Sequence, residues 1–230
     1  MAQDTLPEAG PPAGDSLVAR LARLDTCAVS DALDRLGLAG AVSGLRPMWP
    51  CPRIAGRVIT VKLKLADGTK AARHLGTAAV EAAMPGDVIV VDHAGRAEAA
   101  GWGGILSLAA KTKGVSGVIV DGACRDVDES RDVGLPVYAR SATPVTARGR
   151  IVEESFNEPI EVAGVAVRPD DLVIADWTGI VFVAAGRAEE IVMTAEEIAA
   201  REAQMAEAVR AGRSVVEVMG ASYEAMLGHH

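Results

Sequence analysis

At 230 residues, half of them hydrophobic, the chain is long enough for one well-buried core, and no linker-like stretch divides its interior. Acidic residues outnumber basic ones by 31 to 23, and no basic run interleaves with the sparse aromatics, which argues against nucleic acid as a partner. Glycine or charge interrupts every apolar run before the ~18 residues that a membrane span requires, so a soluble, cytoplasmic protein without a membrane partner is expected.

Residues 1–14, MAQDTLPEAGPPAG, are rich in Pro, Gly and Ala without periodicity and read as a flexible tail; they lack the basic-then-apolar pattern of a secretory signal. Asp15 or Ser16 then caps a helix carrying Leu17, Leu21 and Leu24, and Thr26 caps a second with Val29, Leu33 and Leu36 on one face before Gly37. On that helix Asp31 and Asp34 read as capping or ion-pair residues. Cys27, Cys51 and Cys124 are odd in number and lack C-x-x-C spacing, so neither a disulfide framework nor a zinc site is indicated.

Val61, Leu63 and Leu65 alternate with Lys62 and Lys64, the pattern of a half-exposed strand. Residues 88–91 are apolar throughout and predict a strand covered on both faces. His74, in KAARH, reads as part of a solvated helix face. His93 follows the 88–92 strand and either faces a site or lies at the surface.

The stretch 101–126, GWGGILSLAAKTKGVSGVIVDGACRD, carries the chemistry. Gly101, Gly103 and Gly104 surround Trp102, and the spacing of Ile105, Leu106, Ala109 and Ala110 predicts a helix starting within or just after GWGG. Backbone N–H groups at such a start, uncovered by side chains, make an anion site. The position of a third glycine in a dinucleotide fingerprint is Leu106, which argues against a Rossmann site. Residues 118–120 predict a buried strand that delivers Asp121, Gly122, Ala123, Cys124, Arg125 and Asp126 to its end, the usual place for ligand chemistry in α/β sheets. Arg125 offers a planar fork of donors to a carboxylate, and Asp126 a hard oxygen suited to Mg²⁺ or Mn²⁺. Cys124, without a His partner, reads as a small packed thiol.

Beyond Asp126 the chain reads as β-rich, with short apolar runs at 136–139, 144–147, 160–162, 165–167, 172–175 and 180–183 separated by turn residues. Residues 187–210 read as one charged, alanine-rich helix with Ile191, Ile198, Met205 and Val209 near one face.

The order of a glycine-led tetrapeptide, helix, G-x-x-G, apolar strand and D-G-x-x-R-D resembles the RraA-like family, which includes 4-hydroxy-4-methyl-2-oxoglutarate/4-carboxy-4-hydroxy-2-oxoadipate aldolases and regulators of ribonuclease E activity. SDALDRLG at 30–37, AGRVITV at 55–61, PGDVIVVD at 85–92 and DLVIAD at 171–176 extend the resemblance to roughly residues 20–210. It implies an α/β domain, β/β/α swivelling-domain-like, spanning 15–230, with both sheets near one helical layer. It further implies that the amides of Gly103, Gly104, Ile105 and Leu106 hold the substrate carboxylate, that Arg125 contacts substrate, and that Asp126 ligates Mg²⁺ or Mn²⁺.

In one respect the chain departs from the aldolases. The second tetrapeptide position is typically acidic in those enzymes and organises the water that takes the substrate hydroxyl proton; here it is Gly104. A replacement base could come from His74, His93, Glu98 or, from a neighbouring subunit, Glu202. The implied function is a divalent-metal-dependent carbon–carbon lyase on a small 2-oxo acid, by aldol cleavage releasing pyruvate or by oxaloacetate decarboxylation. Decarboxylation needs an electron sink but no hydroxyl base, so loss of the acid should harm it less. The alternatives are a metal-dependent tautomerase or dehydratase and a non-catalytic ribonuclease regulator. A homo-oligomer, trimer or hexamer, is implied, with Trp102 and His74 around the substrate's distal half.

Overall fold

The computed structural model describes residues 15–68 and 73–220; the expected tail at 1–14 lies outside them. In chain order the elements are α1 (Asp15–Leu21), α2 (Thr26–Arg35), β1 (Ala41–Val42), β2 (Arg46–Pro47), β3 (Ile54–Leu65), α3 (Thr77–Ala82), β4 (Val88–Asp92), α4 (Gly104–Thr112), β5 (Gly117–Cys124) and α5 (Val127–Asp132). There follow β6 (Val137–Ala142), β7 (Ile151–Phe156), β8 (Ile160–Val162), β9 (Val165–Val167), β10 (Leu172–Ala175), β11 (Ile180–Val183), α6 (Ala188–Arg210) and α7 (Val215–Val218).

Strand β3 organises the sheet. It is long enough to pair with β10 through residues 54–57, with β4 in parallel through 58–62, and with β7 through 61–65. The resulting order is β1-β11-β10-β3-β4-β5-β6-β2, with β7 also on β3. The β3-β4-β5-β6 run is parallel, which requires crossover connections, and α3, α4 and α5 supply them. Strands β4 and β5 are buried along their whole length, as the unbroken apolar run at 88–91 predicts.

Alternation along the strands separates three apolar layers. Val58, Val88, Val90, Ile119 and Tyr138 pack against Val173, Ala175 and Phe182, so the curled sheet closes on itself as a β/β sandwich. Val61, Ile89, Val91, Val118 and Val120 face the other way, onto Ala79, Leu106 and Ala110 of α3 and α4. On the opposite outer face, Leu172, Ile174, Val181 and Val183 pack on α1, α2 and the first half of α6, through Leu21, Val29, Leu33, Ile191 and Ile198. The β/β/α expectation therefore holds with one correction: a helical layer covers each outer face, because β10 and β11 are apolar on both sides.

Other local readings shift. Asp25, not Thr26, caps α2, its side chain accepting from Ala28 N–H at 2.8 Å; the Thr26 N–H and hydroxyl both go to Asp176. Asp31 makes no hydrogen bond or ion pair among the described residues, and burial, then Asp34 and Asp25, raise its pKa. The apolar run 144–147 is a loop, and the strand pairing with β3 is β7, whose E-E-S content hid it from a hydropathy pattern. Segments 77–82 and 127–132 are short helices that the apolar pattern did not predict. Strands at 160–162 and 165–167 form a hairpin whose tight turn, Ala163-Gly164, has positive φ at both residues. No helix among the described residues is long and apolar enough to cross a membrane.

Candidate active site

The carboxyl ends of the parallel strands build the site. Residues 93–103 fold back over the end of β5: Gly101 N–H donates to Ala123 O (2.8 Å) and Arg125 N–H to Trp102 O (3.0 Å). This pairing sets the glycine-rich turn alongside Arg125 and Asp126. Helix α4 starts at Gly104 with Gly103 as its N-cap, so Gly104, Ile105 and Leu106 form a first turn whose N–H groups have no acceptor within the helix.

Asp126 adopts a left-handed backbone conformation, φ 56° and ψ 43°, which Asp tolerates better than most side chains. That conformation turns its carboxylate back toward α4. Oδ2 accepts the Gly104 N–H at 2.9 Å, and Arg125 Nε donates to both carboxylate oxygens at 3.0 and 3.1 Å. Of the four amides expected to form the cradle, the Gly104 N–H is held by Asp126, and those of Gly103, Ile105 and Leu106 have no hydrogen-bond acceptor among the described residues.

Hydroxyl groups tie the two helix starts together from beneath. Trp102 Nε1 donates to Ser107 Oγ (3.0 Å), and Ser107 Oγ lies 2.8 Å from Ser130 Oγ. Ser107 also reaches Gly103 O (3.1 Å) and Ser130 reaches Asp126 O (3.2 Å). Trp102, Ser107 and Ser130 are all buried, so this network links α4 to α5 out of reach of solvent.

Above the network lies a cleft of about 210 Å³ lined by His74, Leu75, Ala100, Trp102, Gly103, Gly104, Ile105, Leu106, Arg125, Asp126, Thr146, Ala147 and Arg148. Arg125 and Asp126 also wall a neighbouring cleft lined by Val127, Asp128, Glu129, Ala142, Thr143 and Pro144. The structure therefore brings Gly103, Gly104, Ile105, Leu106, Trp102, Arg125, Asp126 and His74 together. His74 sits in a loop rather than on a solvated helix face, with Nδ1 3.0 Å from Leu75 O.

The other base candidates are elsewhere in the chain. His93 is fully buried, neither at the surface nor in the cleft: Nε2 donates to Ala99 O (2.8 Å), and the ring fills the space that side chains at Gly101 and Gly122 would need. Burial outweighs the Ala99 hydrogen bond, which favours the charged form, and lowers its pKa, so the ring is neutral and packs as a wedge. Glu98 lies exposed on the outer side of the same turn. Glu202 stands half-buried on α6, in the helical layer across the sandwich from α4, where burial, then Asp25 and Asp31, raise its pKa. It does not line the cleft beside Arg125 and Asp126. Cys124 is buried, and burial pushes its thiol up to about 11, which fits a packed thiol.

Two site residues escaped the sequence reading. Arg148 was hidden by the misassigned 144–147 run. Glu129, three residues after Asp126, extends a carboxylate over Gly104, and a Cβ on residue 104 would overlap its Oε2. Asp-x-x-Glu at a helix start ordinarily signals a capping box, yet neither side chain caps α5.

The donor set suits a hard divalent cation in one respect. Among the described residues no three His, Cys, Asp or Glu side chains converge as a metal cage. Mg²⁺ instead binds through one or two carboxylates and keeps several waters, which the Asp126 carboxylate matches.

A parallel strand end that sets an Arg-Asp pair against a glycine-led helix start defines an α/β protein with bare helix-start amides beside acidic oxygens. The model of the RraA-like family, described as Aldolase/RraA, matches residues 26–182, and the chain belongs to that family. It is 32% identical over 200 residues, 85% of this chain and 91% of the relative, to a Halalkalibacterium halodurans protein that provisionally carries the name 4-hydroxy-4-methyl-2-oxoglutarate aldolase. It is 34% identical over 128 residues, 56% of this chain and 74% of the relative, to the 4-hydroxy-4-methyl-2-oxoglutarate aldolase of Thermus thermophilus. Among solved structures it resembles Streptomyces coelicolor RraAS2, described as an unusual member of the RNase ES inhibitor RraA family, with TM-score 0.75, 29% identity and coverage of 89% and 99% of the two chains. An uncharacterised Pseudomonas syringae protein matches with TM-score 0.82 and 27% identity over 92% of this chain and all of that one.

Proposed function

We propose that the protein is a divalent-metal-dependent carbon–carbon lyase acting on a small 2-oxo acid, releasing pyruvate by aldol cleavage or by decarboxylation of oxaloacetate. The observation that carries this reading is the junction of the α4 first turn with Arg125 and Asp126. The amides of Ile105 and Leu106 bind the substrate carboxylate, aided by the positive end of the helix dipole. Arg125 keeps its outer guanidinium nitrogens for the oxygen on which enolate charge develops, while its Nε holds Asp126 in place. Asp126 holds Mg²⁺ or Mn²⁺, which when bound supplies a Lewis-acid electron sink. Trp102 and Leu75 exclude water from the back of the cleft, and His74 and Arg148 at its mouth meet the distal half of the substrate.

The relatives' aldolase names support the lyase class. A second reading, a non-catalytic regulator of a ribonuclease, is favoured by the likeness to RraAS2 and disfavoured by the retained Arg125-Asp126 pair beside a formed cleft. A homo-oligomer, trimer or hexamer, agrees with the exposure of Ile105 and Leu108 beside the cleft, 79% and 51% in the single chain.

The test is pyruvate release from 4-hydroxy-4-methyl-2-oxoglutarate and from oxaloacetate, with Mg²⁺ or Mn²⁺ and with excess EDTA. Metal-dependent release from either supports the lyase. Proton exchange beside the keto group without fragment release would replace it by a tautomerase or dehydratase. No turnover together with no response to a metal titration would leave the regulator.

A further inference from the structure

We infer that Glu129 is the catalytic base for the substrate hydroxyl; this rests on the lyase reading above. Three observations carry it.

First, the exposed Glu129 side chain lines the neighbouring cleft that Arg125 and Asp126 also wall, and its Oε2 lies where a Cβ on residue 104 would stand, which brings the carboxylate over the first turn of α4. Second, a side chain at the third position of a helix following an Asp would ordinarily reach back to cap the helix, and this one does not. Third, Asp126 accepts from Gly104 N–H and from Arg125 Nε, whereas the exposed Glu129 carboxylate has no hydrogen-bond or ion-pair partner among the described residues. An acceptor without a donor, beside an Arg-Asp pair at a helix start, is the group free to take a proton.

The step balances as follows. The Glu129 carboxylate, directly or through one water, takes the proton of the C4 hydroxyl, which lies β to the keto group of the 2-oxo acid. The O–H electron pair becomes the new carbonyl π bond at C4, and the C3–C4 bond breaks. Its electron pair forms the enolate of pyruvate, with the charge on the former keto oxygen facing Arg125. The enolate carbon then takes a proton from solvent, and Glu129 returns its own to solvent. Decarboxylation of oxaloacetate reaches the same enolate by loss of carbon dioxide and has no hydroxyl proton to remove. The two reactions therefore separate the role of Glu129 from that of the rest of the site.

The experiment compares wild type, Glu129→Gln and Glu129→Ala, with Glu98→Gln as a control on the exposed turn outside the cleft. For aldol cleavage of 4-hydroxy-4-methyl-2-oxoglutarate, kcat should fall at least ~100-fold in both Glu129 variants, the usual contribution of a positioned base, while oxaloacetate decarboxylation falls less than about 3-fold. Oxalate, a mimic of the pyruvate enolate, should bind the variants within about twofold of wild type by calorimetry, showing that the anion site is intact. In the double variant Gly104→Asp/Glu129→Ala, a carboxylate returns to the same space from the other side, and part of the lost aldol activity should return. Aldol cleavage in Glu129→Gln within about 3-fold of an active wild type would overturn the base role alone. A wild type inert toward both substrates would overturn the lyase reading and the base role together.

Discussion

Replacing Ser107 by Ala tests the network that holds the two helix starts in register. The mutation removes one oxygen from a site where Ser107 is fully buried and Trp102 nearly so. The carbonyls of Gly103 and Asp126 lose little, because each still accepts a backbone N–H, from Ser107 and Ser130 respectively. The unreplaced loss is the acceptor for Trp102 Nε1, and a buried donor left without a partner costs about 1–3 kcal/mol. Alanine's better helix propensity offsets about 0.5 kcal/mol, leaving a net loss of about 0.5–2.5 kcal/mol. For a chain of this size that lowers Tm by about 1–10 °C.

Ser130→Ala is the internal comparison. Ser107 keeps both its Trp102 donor and its Gly103 acceptor in that variant, so the loss should stay below about 1 kcal/mol. Urea unfolding of both single variants and the double variant measures the coupling. If Ser107→Ala unfolds within about 0.5 kcal/mol of wild type, or if Ser130→Ala is the more damaging, the assignment of Ser107 as the acceptor for Trp102 is wrong.

Three further outcomes follow from the structure. Asp126→Asn keeps a side chain that tolerates the left-handed backbone and can still accept the Gly104 N–H, so stability should change by less than about 1 kcal/mol while divalent-metal stimulation of turnover is lost. An EDTA response equal to that of wild type would remove Asp126 from the metal site. Thiol labelling of the native protein near pH 8 should modify Cys27 and spare the buried Cys51 and Cys124, with all three reacting after denaturation. The Cys124 thiol is raised from 9.0 to about 11, so the unfolded chain loses its proton first and stability should fall as pH rises from about 9 toward 11. Rapid native labelling of Cys124 would contradict the packing at the end of β5.

Much of this architecture follows from local pattern. An unbroken apolar run at 88–91 can be stable only with both faces covered, and the alternation at 61–65 only with one. GWGG before a 3.6-residue apolar period marks a helix start with bare amides, and a β-branched run ending in Arg125-Asp126 marks a strand end. These are properties of a few contiguous residues, so the helix start and the strand end that meet at the candidate site are legible without coordinates, and the family resemblance rests on the same segments.

What lies outside local pattern is everything decided between segments far apart in the chain. His93 follows an apolar strand and resembles any surface histidine, but the fold-back that pairs Gly101 with Ala123 buries it under two glycines. Glu202 is half-buried among α2 acids because α6 packs on β10 and β11, a face separated from α4 by two sheet layers. Asp126-x-x-Glu129 reads locally as a helix cap. Only the left-handed turn at Asp126 and the arrival of Gly104 from residues upstream swing both carboxylates away from their own helix. Hydropathy and propensity describe what a residue prefers among its neighbours in sequence, whereas the position of an acid over a glycine 25 residues away depends on which strands pair and how closely their ends approach.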